Sequence, residues 1–201
     1  DTTPWIPTIF EWAKRFPVWD YNVRNVEKWN DLGFSNVNLL RLGYHSLLDR
    51  IPRNKDKDID VLFYGSVGDR RKLILDSLVE KRVNLKSVFG VYGLTRDELI
   101  SRSKIIINIH HYESKIFEVV RAFYLMTNAK AIVSEVDEHT HIDDSYVGGI
   151  KAAKYDFLVD ACLELLANDK RRVEQEDLAH ETIKKMPQHK ELYGMVENIN
   201  F

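Results

Sequence analysis

Short apolar runs alternate with longer amphipathic stretches along the chain from Asp60 onward. Two of these runs, 61–64 and 105–107, are almost continuously apolar, as parallel strands are when helices cover both faces of their sheet. Such alternation is typical of βα units. It predicts strands over 59–65, 86–92, 105–110 and 131–135 and helices over 69–81, 95–103 and 115–128, followed by a helical tail over 155–185. We therefore expect an α/β protein with a Rossmann-like, doubly wound parallel sheet.

The first fifty residues differ in character from the rest of the chain. They contain all four tryptophans, a predicted helix over 22–32, a turn at Gly33 and one strand-like run over 37–42. This is too little for a second sheet domain. The charged run 53–58 is typical of a solvated linker. We therefore divide the chain into an N-terminal appendage of helix and strand, residues 1–52, and a Rossmann-like domain with C-terminal helices, residues 53–201.

Composition narrows the class of protein. With 44% hydrophobic and 30% charged residues, the chain has the balance of a soluble globular protein. A formal net charge of −2 gives no bulk attraction to nucleic acid, so we expect no nucleic-acid partner. No apolar run approaches the ~20 residues that span a bilayer, so we expect no transmembrane segment. The single cysteine, Cys162, lies in an apolar stretch, which predicts a core position and a cytoplasmic protein.

A glycine-containing turn over 64–68 leaves the first predicted strand of the sheet and opens a helix. Glycines permit tight backbone geometry, and amides at a helix N-terminus attract phosphate. Residues 70–72 are Arg-Arg-Lys, three positive charges in the first turn, where the helix dipole disfavours them. Either an anionic ligand above the turn compensates these charges, or Asp69 and Asp76 neutralise them at the surface.

A second turn, 89–93, ends the next strand with the sequence Phe-Gly-Val-Tyr-Gly. Ligands of open α/β sheets bind beyond the carboxyl ends of the strands, where small residues let a flat base approach the backbone. Tyr92 is a candidate to stack on that base, although an ordinary turn needs glycine as well. Residues 95–98, Thr-Arg-Asp-Glu, match a capping box and predict the start of the next helix.

The most informative segment is 108–121, where a strand of isoleucines ends in a polar and aromatic cluster. A helix is expected to follow at once, capped by Ser114. Glu118 and Arg121 lie three residues apart and share a face of it. They form a surface ion pair, or they serve a ligand as a carboxylate for hydroxyls and a guanidinium for diphosphate. We favour the ligand, because the burial is expected to come from another face, formed by Ile116, Val119, Val120 and Phe123.

Histidines occur within this segment, at 110 and 111, and again at 139 and 141, near Asp143 and Asp144. Adjacent residues of a strand point to opposite faces, and no metal-binding spacing accompanies these histidines. We therefore expect no metal. A histidine at a strand end is better placed to donate a hydrogen bond to phosphate, or to cap the loop.

Several of these segments together resemble the C-terminal, donor-binding half of bacterial and viral GT-B glycosyltransferases. The resemblance extends to VWDYN at 18–22 and LGY at 42–44, which look like the end of the N-terminal half and the crossing between halves. It covers most of 18–187. It is carried by DVLFYGS at 60–66, GVYG at 90–93, INIHHYE at 107–113, IFEVVR at 116–121, KAIVSE at 130–135 and KYDFLVDACLELL at 154–166.

The resemblance implies a domain that binds a nucleotide-diphosphate sugar and transfers a hexose or deoxyhexose to a glycan or other acceptor. It implies polysaccharide biosynthesis and no cofactor or metal. The first turn would face the diphosphate, the second the base, and the segment 110–121 the ribose and sugar. The donor-binding residues expected from it are Gly65, Ser66, Arg70, Arg71, Tyr92, Gly93, His110, His111, Tyr112, Phe117, Glu118, Arg121 and Glu135.

A complete GT-B enzyme has two Rossmann-like halves, and this chain contains one with a remnant. The sequence also begins at Asp1 without an initiator methionine. We therefore expect it to need a missing N-terminal half or neighbouring domains and to transfer sugar poorly alone. The E-x7-E pattern of retaining relatives is not matched in its familiar form, since Glu118 stands thirteen residues before Ala131, and the stereochemistry stays open.

One alternative belongs to another class: a flavodoxin-like or receiver-like module that binds a partner and catalyses nothing. A receiver needs an acidic cluster at the end of its first strand, where this chain has Gly65 and Ser66. A nicotinamide-dependent oxidoreductase would need G-x-G-x-x-G, which the sequence lacks.

Overall fold

The computed structural model describes residues 6–54, 56–111 and 116–197. These residues form two compact units. The larger is Tyr44–Pro187, and the smaller joins the described residues before Tyr44 to those after Pro187. The division predicted after residue 52 differs from these units.

The smaller unit contains α1 (Ile6–Ala13), β1 (Val18–Asp20), α2 (Val23–Asp31), β2 (Val37–Leu39) and the C-terminal helix Gln188–Glu197. Strands β1 and β2 pair in parallel, so a second strand accompanies the single one predicted here. Asn22 caps α2, because its side-chain oxygen accepts a hydrogen bond of 2.9 Å from the amide of Arg24. Gly33 takes a positive φ of 87° directly after this helix, in agreement with the predicted turn. Trp5 lies outside the described residues.

The larger unit is built on five parallel strands, in the order β4-β3-β5-β6-β7. Three of the four predicted strands end earlier than predicted, and β7 was not predicted. The strands are β3 (Ile59–Tyr64), β4 (Leu85–Val88), β5 (Ser103–Asn108), β6 (Ala131–Glu135) and β7 (Lys151–Ala153).

Helices cover both faces of this sheet, which confirms the expected doubly wound, Rossmann-like α/β fold. They are α3 (Asp69–Glu80), α4 (Gly93–Ser101), α5 (Val119–Thr127), α6 (Asp144–Val147), α7 (Leu158–Leu166) and α8 (Asp169–Lys184). Side chains alternate between faces along a strand. Phe63, Ile105 and Val133 accordingly join one core with α3 and α7, while α4, α5 and α8 pack against β5 and β6 from the other face.

Two helices begin where the sequence did not predict. Helix α4 starts at Gly93 with Tyr92 at its N-cap and no side-chain cap, so the predicted capping box is wrong. Asp97 of that box is buried and forms an ion pair with Arg96 instead. Helix α5 starts at Val119 rather than Lys115, and Ser114, its expected cap, lies outside the described residues.

Cys162 is fully buried in the core between the sheet and α7, as predicted. Burial raises the pKa of its thiol to about 12, because the apolar surroundings disfavour the thiolate. None of the helices in the described ranges is long and apolar enough to cross a membrane.

The described residues of segment 53–58 are mostly exposed, as their charges predicted, but two of them contact α8. The side chain of Lys57 is only 7% exposed and forms an ion pair with Glu176 of α8. Arg53 reaches Asp177 of the same helix at 3.2 Å. These contacts fix the segment before β3 to the last long helix of the unit.

Lys130, directly before β6, belongs to the same amino edge of the sheet and is fully buried. Its ammonium makes one long contact of 3.5 Å, to the carbonyl oxygen of Pro52. Burial, and then the nearby charge of Lys57, lower its pKa to about 8. The amino edge therefore encloses a positive charge with little compensation.

Candidate functional site

The strand order reverses direction at β3, because the chain moves from β3 to β4 on one side and then to β5 on the other. In open α/β sheets such a switch point leaves a crevice beyond the carboxyl ends of the strands, where ligands bind. The first candidate turn follows β3 at this point, and the segment from Asn108 follows β5. The fold thus places both at one crevice.

Gly65, the first residue after β3, has a φ of 150°, which side chains other than glycine rarely adopt. A β-carbon here would lie 3.3 Å from an Nη atom of Arg121 and 3.6 Å from one of Arg71. Glycine therefore lets two guanidinium groups approach the end of the strand.

Arg71 links the loop after β3 to both ends of the connection between β5 and α5. Its Nε and Nη2 atoms donate to the carbonyl oxygen of Ile109 at 2.9 and 2.7 Å. Its Nη1 donates to the carbonyl oxygen of Ser66 at 3.0 Å, and Nη2 also reaches Glu118 at 2.5 Å. The side chain is 4% exposed, and burial lowers its pKa. Arg71, expected at the ligand, is mainly a structural link.

Arg121 makes a second link on the same crevice. It donates to the side-chain oxygen of Asn108 at 2.7 Å and to the carbonyl oxygen of Tyr64 at 3.0 Å. It also pairs with Glu118 at 2.9 Å, as their spacing predicted. Asn108 is itself buried, so Arg121 holds the ends of β3 and β5 together.

Glu118 lies between these two arginines at the N-cap of α5. Its side chain is 29% exposed, considerably more than that of either partner. One carboxylate therefore faces two guanidinium groups, and the cluster carries a net positive charge beside the crevice. Such a cluster suits an anionic group, while the exposed carboxylate suits hydroxyl donors.

Arg70 and Glu135 form a second ion pair, in which Glu135 is fully buried. The carboxylate of Glu135 also accepts a hydrogen bond of 3.0 Å from the backbone amide of His110. Glu135 was predicted near the donor sugar, and in the structure its buried carboxylate contacts Arg70 and the loop after β5. The charges at 70–72 are compensated by Glu135, Glu118 and Asp76.

His110 is buried at the end of β5, and its Nε2 lies 3.3 Å from the hydroxyl of Thr140. Burial lowers its pKa, so the imidazole is held neutral. Its Nδ1 is buried without a partner among the described residues. His111 is exposed, with its Nδ1 3.5 Å from the Ser66 hydroxyl. The described residues contain no group of three or more potential ligands for a metal ion.

An open cleft of about 370 Å³ lies beside this cluster, between the loop after β4 and helix α5. Gly90 and Gly93 take positive φ values of 70° and 59° in that loop. Tyr92 is largely exposed at the cleft, where the sequence placed a stacking residue. The cleft walls combine apolar side chains (Val88, Phe89, Val91, Val120 and Phe123) with polar ones (Tyr64, Arg96, Glu118, Arg121 and Tyr124).

Two residues near the start of α5 have surroundings that the sequence did not indicate. Phe117, a predicted donor-binding residue, is buried against Tyr146, with ring centroids 6.3 Å apart. Val120 was assigned to the buried face, but it is 49% exposed and lines the cleft. The buried face is formed by Val119, Ala122, Leu125 and Met126. Tyr112, also expected at the ligand, lies outside the described residues.

Sequence reasoning missed Tyr64, Arg96, Asn108 and Tyr124, which the fold brings to the crevice or cleft. Asn108 offered a signal, since it is a polar residue that ends a run of isoleucines. Arg96 and Tyr124 each lie within a helix, and no local pattern distinguishes them.

Solved structures that share this fold include GT-B glycosyltransferases, and the chain has their Rossmann-like architecture. TarM of S. aureus has a TM-score of 0.66 and 14% identity, covering 96% of this chain and 45% of TarM. HepE of Anabaena, solved in complex with UDP and glucose, has a TM-score of 0.65 and 8% identity, covering 96% of this chain and 67% of HepE. At such identities the likeness concerns the fold.

No family model matches the sequence. Curated relatives come from Acanthamoeba polyphaga mimivirus. The uncharacterized protein L140 is 29% identical over 176 residues, 81% of this chain and 56% of its own length. The uncharacterized protein L137 is 31% identical over 179 residues, 85% of this chain and 23% of its own length. The chain therefore spans about half or less of these two curated relatives.

Proposed function

We propose that the chain is the donor-binding half of a glycosyltransferase, which binds a nucleotide-diphosphate sugar without a metal and transfers the sugar to a glycan or other acceptor. One observation carries this proposal. The net positive cluster of Arg71, Arg121 and Glu118, the start of α3 and an apolar cleft meet at the switch point of the sheet. A nucleotide sugar has the matching parts, namely a diphosphate, hydroxyls and a flat base.

Each part of the donor has a counterpart in the crevice. The base enters the apolar cleft beside Val120 and Tyr92, which aromatic and aliphatic walls favour. The exposed carboxylate of Glu118 accepts hydrogen bonds from ribose hydroxyls. Amides at the start of α3, with the net positive cluster, stabilise the charge of the departing diphosphate. This electrostatic role replaces the one that a metal ion would take.

The likeness in fold supports sugar transfer in particular, because the solved neighbours are glycosyltransferases. TarM has been solved with UDP and HepE with UDP and glucose. Since the chain covers 45% of TarM, the acceptor side and the catalytic base are proposed to lie in further residues of a longer enzyme. We therefore expect these 201 residues to bind the donor well and to transfer sugar slowly.

The strand order also supports a second candidate. Counted within the sheet, the order is 2-1-3-4-5, which flavodoxin-like proteins share. A non-catalytic module that binds a partner at the same crevice would have this topology. A flavin or partner would then stabilise the protein where nucleoside diphosphates do not.

Calorimetry and thermal shift with UDP, GDP, TDP, CMP and their sugars test the proposal, with EDTA in one series and Mg²⁺ in another. A native-state ligand raises the melting temperature by mass action. We expect at least one nucleoside diphosphate to bind equally in both series. Glu118→Gln is expected to weaken that binding about tenfold or more, while the exposed Lys72→Ala leaves it unchanged. A folded chain that binds no nucleotide at millimolar concentration would exclude the donor site.

A further inference from the structure

Arg96 of α4 lines the cleft as well. It does not belong to the cluster of Arg71, Arg121 and Glu118 at the switch point. It comes from the helix that follows the edge strand β4, whereas Arg121 joins β3 and β5. The two arginines therefore approach the cleft from different elements. If the diphosphate of a ligand contacts the cluster, a different part of the same ligand is available to contact Arg96.

The guanidinium of Arg96 is held in one orientation. Its Nε and Nη2 atoms donate to the carboxylate of Asp97 at 3.2 and 2.9 Å. Its central carbon lies 4.6 Å from the centre of the Tyr124 ring, on which it stacks. Asp97 is itself fixed, since it accepts a hydrogen bond of 2.8 Å from the Tyr124 hydroxyl. The remaining nitrogen, Nη1, donates to no acceptor among the described residues.

We propose that Arg96 reads the edge of the nucleobase, and that it favours bases with a carbonyl oxygen where others carry an amino group. This inference rests on the proposed donor site. A guanidinium only donates hydrogen bonds, so it matches a carbonyl oxygen and opposes an amino group. Glu118 and Arg96 both line the cleft, so with ribose at Glu118 we place the base edge farthest from the sugar, position 4 of a pyrimidine or 6 of a purine, at Arg96. Uracil, thymine, guanine and hypoxanthine carry oxygen there, whereas cytosine and adenine carry nitrogen.

The alternative role for Arg96 is contact with a phosphate, as for other arginines near nucleotides. The two roles predict different results. A phosphate contact is shared by all nucleoside diphosphates, so its loss weakens each of them equally. A base contact is lost only for the bases that accept from it.

Two matched ligand pairs separate these roles, namely UDP against CDP and IDP against ADP. Within each pair, the main change is between carbonyl and amino at the position in question. We expect calorimetry to show the unaltered chain binding UDP and IDP about ten- to a hundredfold more tightly than CDP and ADP. In Arg96→Gln, both ratios should fall close to one, mainly through weaker binding of UDP and IDP.

Arg102→Gln is the matched control, because Arg102 ends the same helix and pairs with Asp58 at the amino edge. It should keep both ratios. The inference is overturned if UDP and CDP bind the unaltered chain equally, or if Arg96→Gln weakens the binding of both equally. The first of these comparisons uses the unaltered chain alone, so it does not depend on whether a variant folds. If no nucleoside diphosphate binds at all, the proposed donor site fails as well. Binding without discrimination overturns only the role of Arg96.

Discussion

The amino and carboxyl edges of the five-stranded sheet both carry cations and carboxylates, but these charges face different surroundings. At the amino edge, Lys57 and Glu176 are nearly enclosed, and Lys130 is fully buried. At the carboxyl edge, Glu118 keeps almost a third of its side chain in contact with solvent beside an open cleft. The Lys57–Glu176 pair at the first edge fixes the segment before β3 to α8, and Lys130 is enclosed there with little compensation. The charges at the second edge remain accessible to a ligand.

The largest expected loss of stability comes from a substitution at the carboxyl edge of the sheet. Arg71→Met should lower the free energy of unfolding by about 2–4 kcal/mol, because it removes the hydrogen bonds of a buried guanidinium, among them the charge-assisted one to Glu118. It also leaves the carbonyl oxygens of Ile109 and Ser66 without this donor. Urea denaturation measures the loss.

The adjacent Lys72→Met serves as the control for this variant. Lys72 is exposed and pairs only with Asp76 one turn away, so we expect a change of at most about 0.5 kcal/mol. Equal stabilities of the two variants would show that Arg71 does not link the loops.

A second test concerns the enclosed charge of the amino edge. Burial lowers the pKa of Lys130 to about 8 from its ordinary value of 10.5, and this difference corresponds to roughly 3 kcal/mol. Below pH 8 both folded and unfolded chains carry the proton, and the full penalty of burying it applies. Between about pH 8 and 10.5 the unfolded chain binds more protons, so stability rises with pH on account of this group.

Lys130→Met removes this ionisation and is the matched variant. We expect it to unfold at higher urea concentration than the unaltered chain at pH 7, with an advantage that shrinks as the pH approaches 10.5. Denaturation curves at several pH values check the difference between the two proteins. A difference that does not vary with pH would mean that Lys130 is not buried as a charge.

The smallest effect distinguishes two adjacent valines of α5. Val119→Ala should lower the free energy of unfolding by about 1.5–3 kcal/mol, because Val119 is buried in the core. Val120→Ala should change it by about 0.5 kcal/mol or less, since Val120 lines the cleft. Nucleotide affinity should respond in the opposite order. Similar losses of stability in both variants would show that Val120 is buried in the core, as the sequence predicted.

The sheet was predictable from sequence because its signal is local. Strands β3, β5 and β6 are buried and contain apolar residues that stand out over a few positions. Strand β7 was missed because it is only three residues long, Lys151–Ala153, and lacks an apolar run.

The candidate site was predictable only in its location. That strand ends meet at one crevice follows from parallel topology, so Gly65, His110 and Glu118 were placed near each other correctly. The roles of single side chains were not, because their partners are distant in sequence. Arg71 and Glu118 are 47 residues apart, and Arg70 and Glu135 are 65 apart. No periodicity reports such pairs, and a buried Glu135 reads in sequence like an exposed one.

The buried thiol of Cys162 has a practical consequence for following ligands in solution. It is the single cysteine of the sequence, and its enclosure with a pKa of about 12 keeps it unreactive toward maleimides at neutral pH while the chain is folded. A Leu94→Cys variant would then accept one fluorescent dye at an exposed position two residues beyond Tyr92. Because Cys162 stays unlabelled in the folded chain, the fluorescence of such a variant would come from the dye beside the cleft.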